Sequence, residues 1–144
     1  VMHINTPYTV IIDYAHTPDG VENIISAVRG FAKKRIITVI GCGGNRDAAK
    51  RPKMGHIAEE LSDIAIITSE DPMEIIRGIL AGMKKDNHIV IENRREAIKK
   101  AMEIAEEDDI IILAGKGHET YQEINHVKHH FDEREVVKEI LKTL

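Results

Sequence analysis

Continuous apolar runs rich in β-branched residues recur along the chain at Tyr8 to Asp13, Arg35 to Ile40, Ile64 to Thr68, His88 to Glu92 and Asp109 to Ala114. Runs of this kind, apolar throughout rather than alternating, predict strands buried on both faces. Between them, apolar residues recur three and four apart, as in Val21, Ile24, Ile25, Val28 and Phe31, or Ala97, Ala101, Ile104 and Ala105. That spacing predicts helices with one buried stripe. Thr17-Pro18 and Asp71-Pro72 each place a capping side chain before a proline suited to the first helical position. Asn93 with Glu96, and Asp132 with Glu135, resemble capping boxes. Strand and helix therefore alternate, which predicts an open, mostly parallel α/β sheet with helices on both faces. Near the end, Tyr121 to Phe131 alternates around Asn125-His126 and predicts a hairpin on an antiparallel edge of the sheet, before a last helix from Glu133 to Leu144.

Composition narrows the picture. A chain of 144 residues with 42% hydrophobic side chains suits one domain spanning 1–144. Its formal net charge of -4 offers no basic field for nucleic acid. Cys42 is the only cysteine, so no internal disulfide forms, in keeping with a reducing compartment. No apolar run reaches the roughly 18 to 20 residues needed to span a bilayer, and Val1-Met2-His3-Ile4-Asn5 lacks a secretory pattern. A soluble cytoplasmic protein with neither nucleic-acid nor membrane partners is expected.

In an open α/β sheet, ligands bind beyond the carboxyl ends of strands, so the residues following each strand carry the chemistry. The first such junction is Asp13-Tyr14-Ala15-His16-Thr17-Pro18-Asp19. Asp13 suits a ribose hydroxyl or a cation, and His16 a phosphate or nucleotide; the same residues also suit a plain helix start. The second is Gly41-Cys42-Gly43-Gly44-Asn45-Arg46-Asp47, followed by Lys50-Arg51-Pro52. Its glycines let the backbone turn sharply and expose amides, and Arg46 can grip a carboxylate or phosphate in two-pronged fashion. A tight turn alone is the alternative, and Cys42 reads as a small packing residue. The third is Ala114-Gly115-Lys116-Gly117-His118-Glu119-Thr120, where Glu119 offers a carboxylate to a substrate ammonium group, or braces a turn.

Absences also inform. No segment matches G-x-x-x-x-G-K-[ST], so no P-loop is carried, and no G-x-G-x-x-G follows the first strand. The eight histidines lack a paired metal-ligand spacing, and His129 and His130 are adjacent on a predicted strand, so no structural zinc is expected.

Taken in order, these three junctions resemble the C-terminal domain of MurE-type Mur ligases, the UDP-N-acetylmuramoyl-tripeptide synthetases, over nearly the whole chain. The resemblance implies a Rossmann-like domain working beside an N-terminal domain for the UDP substrate and a central P-loop ATPase domain, neither present here. It implies an enzyme in which ATP phosphorylates the carboxylate of UDP-MurNAc-dipeptide, Mg2+ shields the phosphates, and the amine of an incoming amino acid attacks the acyl phosphate. ATP and Mg2+ would be held mainly by the central domain. Asp13, Tyr14 and His16 would lie on the nucleotide-facing edge, with no catalytic residue and no metal ligand in this domain. Arg46 matches the family arginine that pairs with a carboxylate of the incoming amino acid, and Gly115 and Glu119 match positions that hold its far end. The expected partners are those substrates, in a monomeric enzyme that is inactive as this fragment alone.

One departure stands out. Family members that use meso-diaminopimelate carry Asp-Asn-Pro-Arg after the third strand, whereas here Thr68-Ser69 runs directly into Glu70-Asp71-Pro72. Either the natural protein lacks this segment or about five of its residues, in a loop of the kind that is often poorly ordered, are absent from this sequence. The choice between meso-diaminopimelate and lysine thus loses its best discriminator, with meso-diaminopimelate preferred. The competing readings are another ligase of the superfamily, of the folylpolyglutamate or cyanophycin type, and a free-standing nucleotide-binding module. Glu119 in its Gly-Lys-Gly-His-Glu context favours the MurE type over the folate enzymes.

Overall fold

The computed structural model of the chain describes residues 6–13, 17–41, 51–69, 79–80, 83, 87–114, 121–124, 127–130 and 132–143. Its elements are β1 (Thr9–Ile12), α1 (Pro18–Arg29), β2 (Ile36–Ile40), α2 (Arg51–Leu61), β3 (Ile64–Ser69), β4 (His88–Asn93), α3 (Arg94–Ile104), β5 (Ile110–Ala114), β6 (Tyr121–Ile124), β7 (Val127–His130) and α4 (Glu133–Leu141). Ile79 and Leu80 are helical between β3 and β4. The strands predicted from the apolar runs all form, within a residue or so of their predicted ends.

β1 to β5 make one sheet in the order β1-β5-β2-β3-β4, every pair parallel. Side chains alternate across it and build two cores. On one face Ile36, Ile40, Ile110 and Ile112 pack with Val21, Ile25 and Val28 of α1, Met54 and Ala58 of α2, and Ile79. On the other, Ile37, Val39, Ile111 and Leu113 pack with Ala97, Ile98 and Ala101 of α3 and with Val136, Val137 and Ile140 of α4. Because β2 and β5 are buried on both sides, their sequences read as unbroken apolar runs.

The predicted caps form where the residues are described. Thr17 accepts a hydrogen bond from the Gly20 amide at 3.1 Å, and Asn93 accepts one from the Glu96 amide at 3.0 Å. Asp132 accepts from the Arg134 amide at 3.0 Å. Asp71 and Pro72 lie outside the described residues. Phe31 departs from its predicted stripe: it is 64% exposed, because α1 stops at Arg29 and a residue past the helix end leaves the 3.6-residue period. α4 ends at Leu141, short of the predicted Leu144, with Lys142 as its C-cap.

The hairpin forms as predicted in pairing, with Tyr121 opposite His130 and Ile124 opposite Val127. It is corrected in place: β6 and β7 make a separate two-stranded sheet, and the main sheet has no antiparallel edge among the described residues. The strand order gives the reason. β5 pairs with β1 on one side and β2 on the other, so the strand that follows it in the chain finds no free side of β5 to join.

Two ion pairs tie the amino ends of the strands. Arg35, before β2, donates to Asp109, before β5, at 2.8 Å. Arg29 at the end of α1 meets Asp63 at 3.1 Å, and Asp63 also accepts from the Ile36 amide at 2.7 Å. Among the described residues no helix is long and apolar enough to cross a membrane.

Candidate functional site at the carboxyl edge of the sheet

At its carboxyl ends the sheet brings the three sequence motifs into one row. Ile12 of β1 is in register with Leu113 of β5, and Ile40 of β2 with Ala114. Asp13 follows β1 directly and its amide donates to the Leu113 carbonyl at 3.0 Å. Gly41 follows β2 and is buried. Gly115 is the next residue after Ala114. The Asp13, Gly41 and Gly115 motifs therefore start from three adjacent strands, with the Gly115 motif in the middle, although Gly115 stands more than seventy residues beyond Gly41 in the chain.

α1 and α2, which follow β1 and β2, pack on one face of the sheet, whereas α4, which follows β5 after the β6–β7 hairpin, packs on the other. Adjacent strands whose connections leave towards opposite faces open a crevice between them, the usual ligand position in an open α/β sheet. Of the predicted site residues, Asp13 stands at the carboxyl end of β1, half-buried. Tyr14, His16, Arg46, Gly115 and Glu119 lie outside the described residues.

The sequence reading missed two residues at this edge, Arg94 and Glu133. Arg94 is the first residue of α3 and Glu133 the first of α4, and they are 1% and 7% exposed. Arg94 Nε donates to Glu133 Oε1 at 2.7 Å, and its Nη2 donates to the Ala114 carbonyl at 3.1 Å. Little in the sequence announces the pair, because an arginine at a helix start ordinarily reads as a solvated surface residue. Next to it, Asp132 is held below the usual carboxylate range by hydrogen bonds from the Arg134 side chain, against a smaller upward push from burial.

Among the described residues one group combines metal-ligand chemistry: His56, Glu59 and Glu60 of α2, whose ligand atoms lie within 4.8 Å of one another. The sequence reading, which looked for paired histidines, did not single it out. Helix pitch accounts for it, since residues three and four apart share a face. It also sits at the wrong end of the sheet for the motif row: the Glu59 carbonyl accepts from Asn87, just before β4, at 3.1 Å.

Residues 1–117 match the family described as Mur ligase, glutamate ligase domain. The UDP-N-acetylmuramoyl-L-alanyl-D-glutamate--2,6-diaminopimelate ligase of Clostridium botulinum is 57% identical over 145 residues, covering 97% of this chain and 30% of the relative. The Clostridium perfringens enzyme of the same name is 59% identical, covering 96% of this chain and 30% of its own length. A solved structure of a ligase of that name superposes with a TM-score of 0.91 at 36% identity, covering 98% of this chain and 30% of that one. A folylpolyglutamate synthase from Thermotoga maritima superposes with a TM-score of 0.55 at 21% identity over 74% of this chain, which is a likeness of fold.

The open parallel sheet with motifs along its carboxyl edge is that of a ligase domain with a Rossmann-like fold. The chain belongs to the Mur ligase family, as its C-terminal, glutamate ligase domain. It spans about 30% of the length of the curated relatives it matches.

Proposed function

We propose that this chain is the amino-acid-presenting domain of an ATP-dependent ligase that joins meso-diaminopimelate to UDP-N-acetylmuramoyl-L-alanyl-D-glutamate in peptidoglycan synthesis. The observation that carries this reading is the row of three motif origins on β1, β5 and β2. It lets Arg46 and Glu119, from neighbouring loops, address the two ends of one substrate. Arg46 pairs with a carboxylate, and Glu119 with the distant ammonium group beside Gly115. Asp13, Tyr14 and His16 form the nucleotide-facing edge, and the Asp13 carboxylate suits a ribose hydroxyl or a hard cation.

Diaminopimelate is preferred to lysine on the names of the relatives, at 50–59% identity. A recognition segment absent after Ser69 would leave unmatched positions in an alignment with the relatives. The Clostridium tetani relative aligns over 148 positions against a chain of 144 residues, so the alignment holds at least four positions with no counterpart here.

ATP in a central P-loop domain would supply the phosphoryl group, and Mg2+ held there would supply charge neutralisation at the phosphates. The whole enzyme is cytoplasmic and monomeric. This domain's own residues bind and orient the amino acid and exclude water as the domains close.

Two results test the reading. The open reading frame should continue upstream for about 300 residues containing Gly-Thr-x-Gly-Lys-Thr; a frame that stops short makes the chain a free-standing module. The ligase carrying this chain should form an amide with meso-diaminopimelate and release phosphate. Product from lysine alone reverses the substrate, and product from neither overturns the proposal.

A further inference from the structure

We propose that Arg94 is a positioning residue for amino-acid binding, acting through the backbone that flanks the Gly115–Asp132 segment. The inference rests on the reading that Gly115 and Glu119 meet the incoming amino acid. Its own basis is geometric. Ala114 is the last residue before that segment and Glu133 the first after it, and the Arg94 guanidinium bonds to both. One buried fork therefore pins the two ends of an excursion that carries Gly115, Glu119 and the β6–β7 hairpin.

Nothing local to α3 asks for an arginine here. A cation at the first position of a helix faces the positive end of the helix dipole, and burial adds a desolvation cost. Glu133 offsets both, and as an acid in the first turn of α4 it also suits that helix. The arrangement is thus chosen by tertiary structure. An arginine serves it because its planar fork reaches a carboxylate and a carbonyl at once in fixed directions, whereas a lysine ammonium is a single flexible point. Fixing both ends restricts the conformations open to the chain between them, and small displacements of binding groups are costly to a bound substrate's alignment.

The test compares variants of the ligase carrying this chain in steady-state kinetics, together with amide hydrogen exchange. Arg94→Lys keeps the charge opposite Glu133 and gives up the fork. It should raise KM for meso-diaminopimelate roughly tenfold, as for one lost charge-assisted hydrogen bond, with kcat and KM for ATP within about twofold. Exchange should quicken in 115–132 and stay unchanged in β2 and β3. The double variant Arg94→Met, Glu133→Leu replaces the ion pair by apolar groups and should keep a near-parental Tm while retaining the raised KM.

If the double variant restores the amino-acid KM together with Tm, Arg94 only neutralises a buried carboxylate and the proposal fails. It fails equally if Arg94→Lys shifts kcat and both KM values alike. Glu119→Gln serves as the control for the underlying reading. A raised amino-acid KM in Glu119→Gln with none in Arg94→Lys sinks the positioning role alone, whereas no change in Glu119→Gln sinks the site reading and this inference with it.

Discussion

Asp109 and Arg35 are joined twice over: the Asp109 carboxylate accepts from the Arg35 backbone amide at 3.1 Å and from its guanidinium at 2.8 Å. The carboxylate also takes the Glu106 amide at 2.8 Å, so it holds the amino ends of β2 and β5 together while closing the turn before β5. That turn needs Asp108 at φ 68, a left-handed conformation that aspartate tolerates better than most residues. Asp109→Ala leaves these donors without their acceptor. We expect a loss of about 1.5–3 kcal/mol, read as a Tm drop of roughly 6 to 12 °C for a domain of this size. A drop under a degree or two would show that water replaces the carboxylate.

The same contact gives a pH dependence. Burial pushes Asp109 upwards, but the hydrogen bonds from Arg35 and from the Glu106 and Arg35 amides outweigh it, leaving its pKa below the ordinary value. A depressed folded pKa means that the stabilisation is present above the unfolded value of about 3.9 and is lost as pH falls through the folded one. Asp132 has the same sign. Chemical denaturation of the parent chain should show stability falling below about pH 4, with a shallower fall in Asp109→Asn. Equal slopes in the two proteins would remove Asp109 as a cause.

Gly55 of α2 is set by close approach. A Cβ there would collide with the Ile79 carbonyl oxygen and come within 2.9 Å of Met83 Cγ. The carbonyl belongs to backbone and cannot swing away, so Gly55→Ala should destabilise by about 1–3 kcal/mol despite alanine's better helix propensity. Thermal melts check this; an unchanged or raised Tm would mean that the segment containing Ile79 shifts freely.

For Arg46, loss of a charge-assisted contact to a substrate carboxylate costs about 1.5–3 kcal/mol, or on the order of tenfold to a hundredfold in KM. In the full ligase, Arg46→Ala should show this for the amino acid with KM for ATP little changed. A raised KM for ATP alone would move Arg46 to the nucleotide side.

The chain by itself should turn over no ATP, because it carries no P-loop lysine and hydroxyl to position phosphates. Phosphate release by purified chain, above a mock preparation, would contradict this.

How much of this was legible in the sequence follows from the range of the forces concerned. The five strands, the Thr17 and Asn93 caps and the hairpin pairing were readable because apolar runs, capping side chains and turn spacing act within a few residues. The three motifs were likewise visible, each standing just after a strand. Tertiary structure alone decided that β5 inserts between β1 and β2. That choice sets the origins of the motifs in one row and leaves β5 no free side for the hairpin, because pairing partners in a parallel sheet are picked by packing between distant segments, which no local pattern encodes. It decided the Arg94–Glu133 pair for the same reason: two residues 39 apart at helix starts look like surface charges until both helices fold over the end of β5.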